Sequence, residues 1–152
     1  MKLLYGVIVL AFAPPVFAGN GASYATEKLP AFVFEKADVT SFPSAIRPKT
    51  VVKGKKTFGD YGYVAREVDE KKALLDSPQG APKISIEVLE AQKSGIFVCL
   101  NNQTSGKGGS PFQRVLLLKL KDGLLKGRET WKEFDACPVI GGEDQDSSSS
   151  NY

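Results

Sequence analysis

The run Ile96-Phe97-Val98-Cys99-Leu100 constrains this chain more than any other stretch. An unbroken apolar run this short reads as a strand covered on both faces, and it carries one of only two cysteines in the sequence. The other, Cys137, follows 38 positions later, beyond a glycine-rich segment and a candidate hairpin. A bond between Cys99 and Cys137 would fasten the C-terminal part of the chain onto that strand. Closing such a loop stabilises a fold by roughly 4 kcal/mol in the chain-entropy model. The competing uses of the thiols lack material. A structural zinc site wants four ligands, and a reactive thiol wants a histidine or other cation beside it. The chain has no histidine at all.

The N-terminus supports an oxidising destination. Lys2 precedes an apolar run from Tyr5 to Phe12, broken by Pro14-Pro15 and followed by Val16-Phe17-Ala18. This pattern predicts a secretory signal peptide over residues 1–18. The run is shorter than the roughly 20 residues a membrane-spanning helix needs. The expected product is a single domain over residues 19–142, secreted or periplasmic, with a disordered tail over 143–152 rich in serine and acid. The formal net charge is +3, one less once Lys2 is removed. So small an excess does not argue for nucleic acid or a membrane surface as partner.

Along the chain, strand signals dominate. Ala31–Phe34 and Asp38–Phe42 read as short strands, and Gly59–Tyr63 as a turn feeding a strand through Val68. Val68–Asp76 is the one helix candidate, on the propensities of its Lys, Glu, Ala and Leu residues; Ser77–Pro82 ends it. Ile84, Ile86 and Val88 alternate with Ser85, Glu87 and Leu89, the period of a half-buried strand. Glu90–Gly95 reads as a polar turn and Asn101–Pro111 as a surface loop. Phe112–Lys121 is the longest strand, and Asp122-Gly123 the strongest hairpin signal. A two-residue turn there pairs Leu120 with Leu125 and Lys119 with Lys126. The return strand over Leu124–Phe134 would bring Trp131 into the core as an anchor. The fold class is mainly β: a small antiparallel sandwich or barrel-like sheet with one short helix.

The spacing of Ile84, Ile86, Leu89, Ser94, Gly95, Phe97 and Cys99 resembles the E–F strand region of immunoglobulin-like domains. The resemblance implies an antiparallel sandwich, with 101–111 as a loop and 112–121 as the final strand. It carries no function with it. The chain departs from the family pattern in having neither a cysteine nor a tryptophan upstream, and in Lys93 where an aspartate is usual.

The absence of histidine removes Ser-His-Asp and Cys-His machinery. Glu129 and Glu133 would align on one strand face, but Arg128 and Lys132 beside them suggest a solvated charged surface. No catalytic residue, metal ligand or cofactor is assigned. Ser105–Gly109 lacks the first glycine and the final Ser/Thr of a phosphate loop, and Asn102-Gln103-Thr104 is a glycosylation sequon. The strongest charge cluster is Arg47, Lys49, Lys53, Lys55 and Lys56, followed by Tyr61 and Tyr63. A polyanion site is its functional reading; lysines guarding an exposed edge strand are the alternative. The candidate contact residues are Lys53, Lys55, Lys56, Tyr61, Tyr63, Lys107 and Arg114. The expected function is a non-enzymatic binding domain for a protein or glycan outside the cytoplasm. Two alternatives stand beside it: an accessory or inhibitory subunit docking on an envelope protein, and a carboxylate hydrolase that works without histidine.

Overall fold

The structure, a computed structural model, describes residues 28–78, 83–103 and 111–140. The signal-peptide segment, Lys107 with its glycine-rich loop, and the tail over 143–152 lie outside them. The described residues form a helix α1 (Leu29–Lys36) and seven strands: β1 (Ala37–Asp38), β2 (Val64–Val68), β3 (Lys72–Asp76), β4 (Lys83–Gln92), β5 (Gly95–Gln103), β6 (Phe112–Lys121) and β7 (Leu124–Glu129). All seven join one sheet in the order β1-β7-β6-β5-β4-β3-β2. Every pairing is antiparallel except β1 with β7, which is parallel. The helix touches β7 near one end of this order and β2, β3 and β4 at the other, so the sheet curls around it as a half-barrel. The described residues therefore build the barrel-like form of the expected fold. The second sheet that the immunoglobulin-like spacing implies is not formed among them.

Burial follows the strand period. Ile96, Val98 and Leu100 of β5, Leu116 and Leu118 of β6, Leu125 of β7, and Ile84 and Ile86 of β4 point to the inner face. There they meet Val33 of α1 together with Val39, Phe42 and Phe58. The alternate residues Phe97, Cys99, Val115 and Leu117 form a smaller outer core with Cys137, flanked by Leu89 and Phe134. A strap over residues 130–140 covers this core. Cys99 and Cys137 are bonded, with 2.08 Å between sulfurs and 5.7 Å between Cα atoms. At its far end the strap pairs with β6 through Gln113 and Ile140.

The β6–β7 hairpin has the predicted register, Leu120 opposite Leu125 and Lys119 opposite Lys126. Asp122 (φ 54°) and Gly123 (φ 77°) both take the left-handed conformation that a type I′ turn requires. Gly127 is needed for a different reason: a Cβ there would lie 2.5 Å from Cε1 of Phe42, so only glycine lets that ring lie flat on β7.

Several expectations are corrected. Ala31–Phe34 lies in α1, not in a strand. Pro30 occupies the first turn, where its fixed φ favours helix and its missing N–H is no loss. Burial of Val33 against the sheet then outweighs the aromatic content. Asp38–Phe42 yields only the two-residue β1 and a 3-10 turn, because the Asp38 carboxylate accepts from the Thr40 amide (3.1 Å) and curls the chain. The helix expected over Val68–Asp76 is instead the end of β2, a turn, and β3. The Asp69 carboxylate accepts from the amides of Lys71 (2.8 Å) and Lys72 (2.6 Å), and Ala73 and Leu75 are buried alternately, a period of two that overrides helix propensity. The Glu90–Gly95 turn shrinks to Lys93-Ser94, with Gln92 paired to Gly95. The last strand stops at Glu129, and Trp131 is fully exposed (100%) rather than a core anchor. Leu125 and Gly127 already meet the inner core, and the chain must leave the sheet to carry Cys137 to Cys99.

Candidate functional site

The segment from Arg47 to Tyr63 is held at its base and open at its rim. Phe58 is its anchor, 2% exposed and packed against the rings of Phe34 (6.3 Å between centroids), Phe42 (5.9 Å) and Tyr63 (5.5 Å). The Val39 amide donates to the Lys56 carbonyl at 2.9 Å, pinning the segment beside β1. The Asp60 carboxylate accepts from the amides of Thr57 (2.9 Å) and Lys56 (2.8 Å). These backbone bonds hold its pKa below the ordinary 3.8 and fix the turn that presents Lys55 and Lys56. Lys55 lies 5.9 Å from the centroid of the Tyr61 ring, whose hydroxyl accepts from the Val52 amide at 3.1 Å.

Around this base Arg47, Lys49, Lys53, Lys55 and Lys56 are all exposed, with Val51 and Val52 exposed among them. None of these residues lies in a strand; the segment leads into β2, an edge strand of the sheet, so it also flanks an edge in the way the alternative describes. Of the predicted contact residues, Lys53, Lys55, Lys56 and Tyr61 share this rim. Tyr63 supports it from below, half-buried against Phe58, where burial raises its phenol pKa. Arg114 belongs to another neighbourhood. On β6 it ion-pairs with Glu129 (2.9 Å), donates to the carbonyl of Ile140 (2.9 Å) and lies over the Phe112 ring. It therefore clamps the end of the strap. Glu129 is thereby taken up in an ion pair, while Glu133 is exposed on the strap beyond β7.

Among the described residues no three His, Cys, Asp or Glu side chains gather as they would to hold a metal. An open depression of about 400 Å³ lined by Arg66, Leu74, Asp76, Ser77 and Lys83 is crossed by the Arg66–Asp76 ion pair. No described helix is long and apolar enough to cross a membrane.

A second charged surface escaped the sequence reading. In β6 and β7, Leu116, Leu118, Leu125 and Gly127 are buried, so Lys119, Lys121, Lys126 and Arg128 fall on the outer face. Lys119 stands directly opposite Lys126. Like charges in that relation repel, and only Lys126 has a described acid to meet it, the buried Asp38. Burial pushes the Asp38 carboxyl up, but Lys126 and both Thr40 groups outweigh that and hold it below 3.8. The strand alternation and the Asp122-Gly123 turn would have been enough to place these cations on one face.

The Asp38 pair makes stability acid-sensitive. A carboxyl with a depressed folded-state pKa contributes stability that is present above its unfolded value and lost as pH falls through the folded one. Wild-type protein is therefore expected to lose stability below about pH 4. Asp38→Asn, already weaker at neutral pH, should lose less than wild type on the same acidification. Urea midpoints for the two proteins at neutral and acid pH check this. Equal acid losses would show that Asp38 does not carry the effect.

No family model, curated protein or solved structure matches this chain.

Proposed function

We propose that this chain is a non-enzymatic domain that works outside the cytoplasm and binds a partner through the Arg47–Tyr63 rim. The observation that carries the reading is the Cys99–Cys137 bond, since such bonds form and persist in oxidising compartments and are rare in the cytosol. The rim supports the binding half of the reading. It combines exposed cationic side chains, an aromatic ring and exposed apolar residues on a base fixed by Phe58 and Asp60. That combination recognises a surface by charge and contact without needing a reactive group.

The test is binding of the full chain, purified with its thiols oxidised, to glycan and protein arrays, alongside Lys53→Ser/Lys55→Ser/Lys56→Ser. Binding that drops about tenfold or more in the triple variant, with no change in the unfolding midpoint, supports the proposal. Turnover of a hydrolase substrate, abolished by replacing one carboxylate, would overturn it in favour of a histidine-independent enzyme.

A further inference from the structure

We propose that the outer face of the β6–β7 hairpin, with Trp131 beyond its end, binds a linear anionic polysaccharide. The inference rests on the reading of the chain as a binding domain, but it names a different surface and a ligand class. The register sets out the cations in a row. Lys121 stands opposite Leu124, then Lys119 opposite Lys126, then Arg128 opposite Leu117. Successive levels are about 7 Å apart along the strands. One level further, the Thr130 amide donates to the Val115 carbonyl (3.3 Å), and Trp131 follows. Converging donors would suit one small anion. Cations strung out along a hairpin suit a polymer with charges repeated along its length.

Charge points the same way. Lys119, Lys121 and Arg128 are exposed and have no ion pair among the described residues. Lys126 is already held by Asp38, so Lys119, Lys121 and Arg128 are the cations that a polyanion laid along the hairpin would meet.

Trp131 supplies the apolar part. It is wholly exposed on a strap fastened before it by the Thr130–Val115 backbone bond and after it by Lys132 and Cys137. Lys132 lies over the rings of Phe97 (4.5 Å) and Phe134 (4.9 Å) and ion-pairs with Glu90, while Cys137 is bonded to Cys99. The indole is thus presented by an ordered backbone, which lowers the entropy lost on binding. One indole offers a platform for the apolar face of one sugar ring. A single-stranded nucleic acid would call for several stacking side chains in succession.

The experiment measures binding of heparin, alginate, neutral dextran and poly(dT) to the full oxidised chain at several salt concentrations. Lys119→Ser/Lys121→Ser/Arg128→Ser should weaken heparin and alginate binding by about tenfold or more and flatten its salt dependence. Lys36→Ser/Lys71→Ser/Lys93→Ser, an equal charge change at exposed sites elsewhere, should stay within about twofold. Trp131→Ala should weaken binding several-fold with an unchanged salt slope, because it removes contact and not charge. Four results would overturn the inference: poly(dT) bound more tightly than either polysaccharide, dextran bound as well as heparin, binding lost only in the Lys53/Lys55/Lys56 variant, or no polyanion bound at all. In the last two cases the binding-domain reading stands or falls separately, on its own array result.

Discussion

Replacing both cysteines, Cys99→Ala/Cys137→Ala, is expected to lower the free energy of unfolding by about 4 kcal/mol. Most of this comes from the denatured chain, which regains the freedom of a loop spanning 38 residues. Each single replacement should cost nearly as much as the pair, since either one breaks the same bond. The native strap has other fastenings. Gln113 and Ile140 exchange backbone bonds at 2.8 and 3.1 Å, Gln113 donates to the Pro138 carbonyl at 2.8 Å, and Phe134 packs on Phe97. The variant should therefore keep its fold at low temperature and open first at the strap. Denaturant unfolding gives the energy, and hydrogen exchange gives the place. Faster exchange at Cys137→Ala and Ile140, with β4 and β5 still protected, is the expected pattern. A loss below about 1 kcal/mol would mean the strap is held by its hydrogen bonds and ring contacts instead.

The sequence was most informative where local chemistry and tertiary packing agreed. Alternation marks the two faces of β4, an unbroken apolar run marks β5 as covered on both, and Asp122-Gly123 leaves the β6–β7 hairpin one register. Cysteine pairing followed because a single pairing was possible. It was least informative between Leu29 and Asp76. Ala31–Phe34 is too short for its period to separate helix from strand, and what decides it is Pro30 at the start and the sheet beneath Val33. For Lys72–Asp76, helix-forming residues form a strand because β4 offers an unpaired edge and Asp69 turns the chain back toward it. The β1–β7 pairing depends on residues far apart in sequence: Asp38 and Lys126 meet across 88 positions, and no local pattern announces that contact.

The charged surfaces divide in the same way. The cations between Arg47 and Lys56 are neighbours in the chain and could be read directly. Tyr61 joins them through the turn that Asp60 fixes. Lys119, Lys121, Lys126 and Arg128 are scattered among leucines and become a surface only once the hairpin turns Leu116, Leu118 and Leu125 inward. Arg114 looked like a free cation because Glu129 and Ile140, its partners, arrive from the return strand and the strap.

Phe58→Ala is expected to cost about 3–5 kcal/mol, and its effect should be felt at the Arg47–Tyr63 rim. Phe58 lies where three separately held pieces meet: Phe34 from α1, Phe42 from the turn after β1, and Tyr63 at the approach to β2. Removing the ring leaves a cavity bordered by other aromatic rings, which cannot close over it without giving up contacts with the sheet. The segment is then held by the Val39–Lys56 hydrogen bond, the Asp60 turn and the Val52–Tyr61 bond. Exchange at Val39, Gly62 and Tyr63 should rise by more than at β5 or β6, and Phe58→Leu, which keeps most of the volume, should recover the larger part of the loss. If the rim carries binding, Phe58→Ala should weaken it without altering any cation. Phe58→Leu should restore binding together with stability. An alanine variant within about 1 kcal/mol of wild type would instead show that the segment is held by its backbone bonds and that the ring cluster is incidental to it.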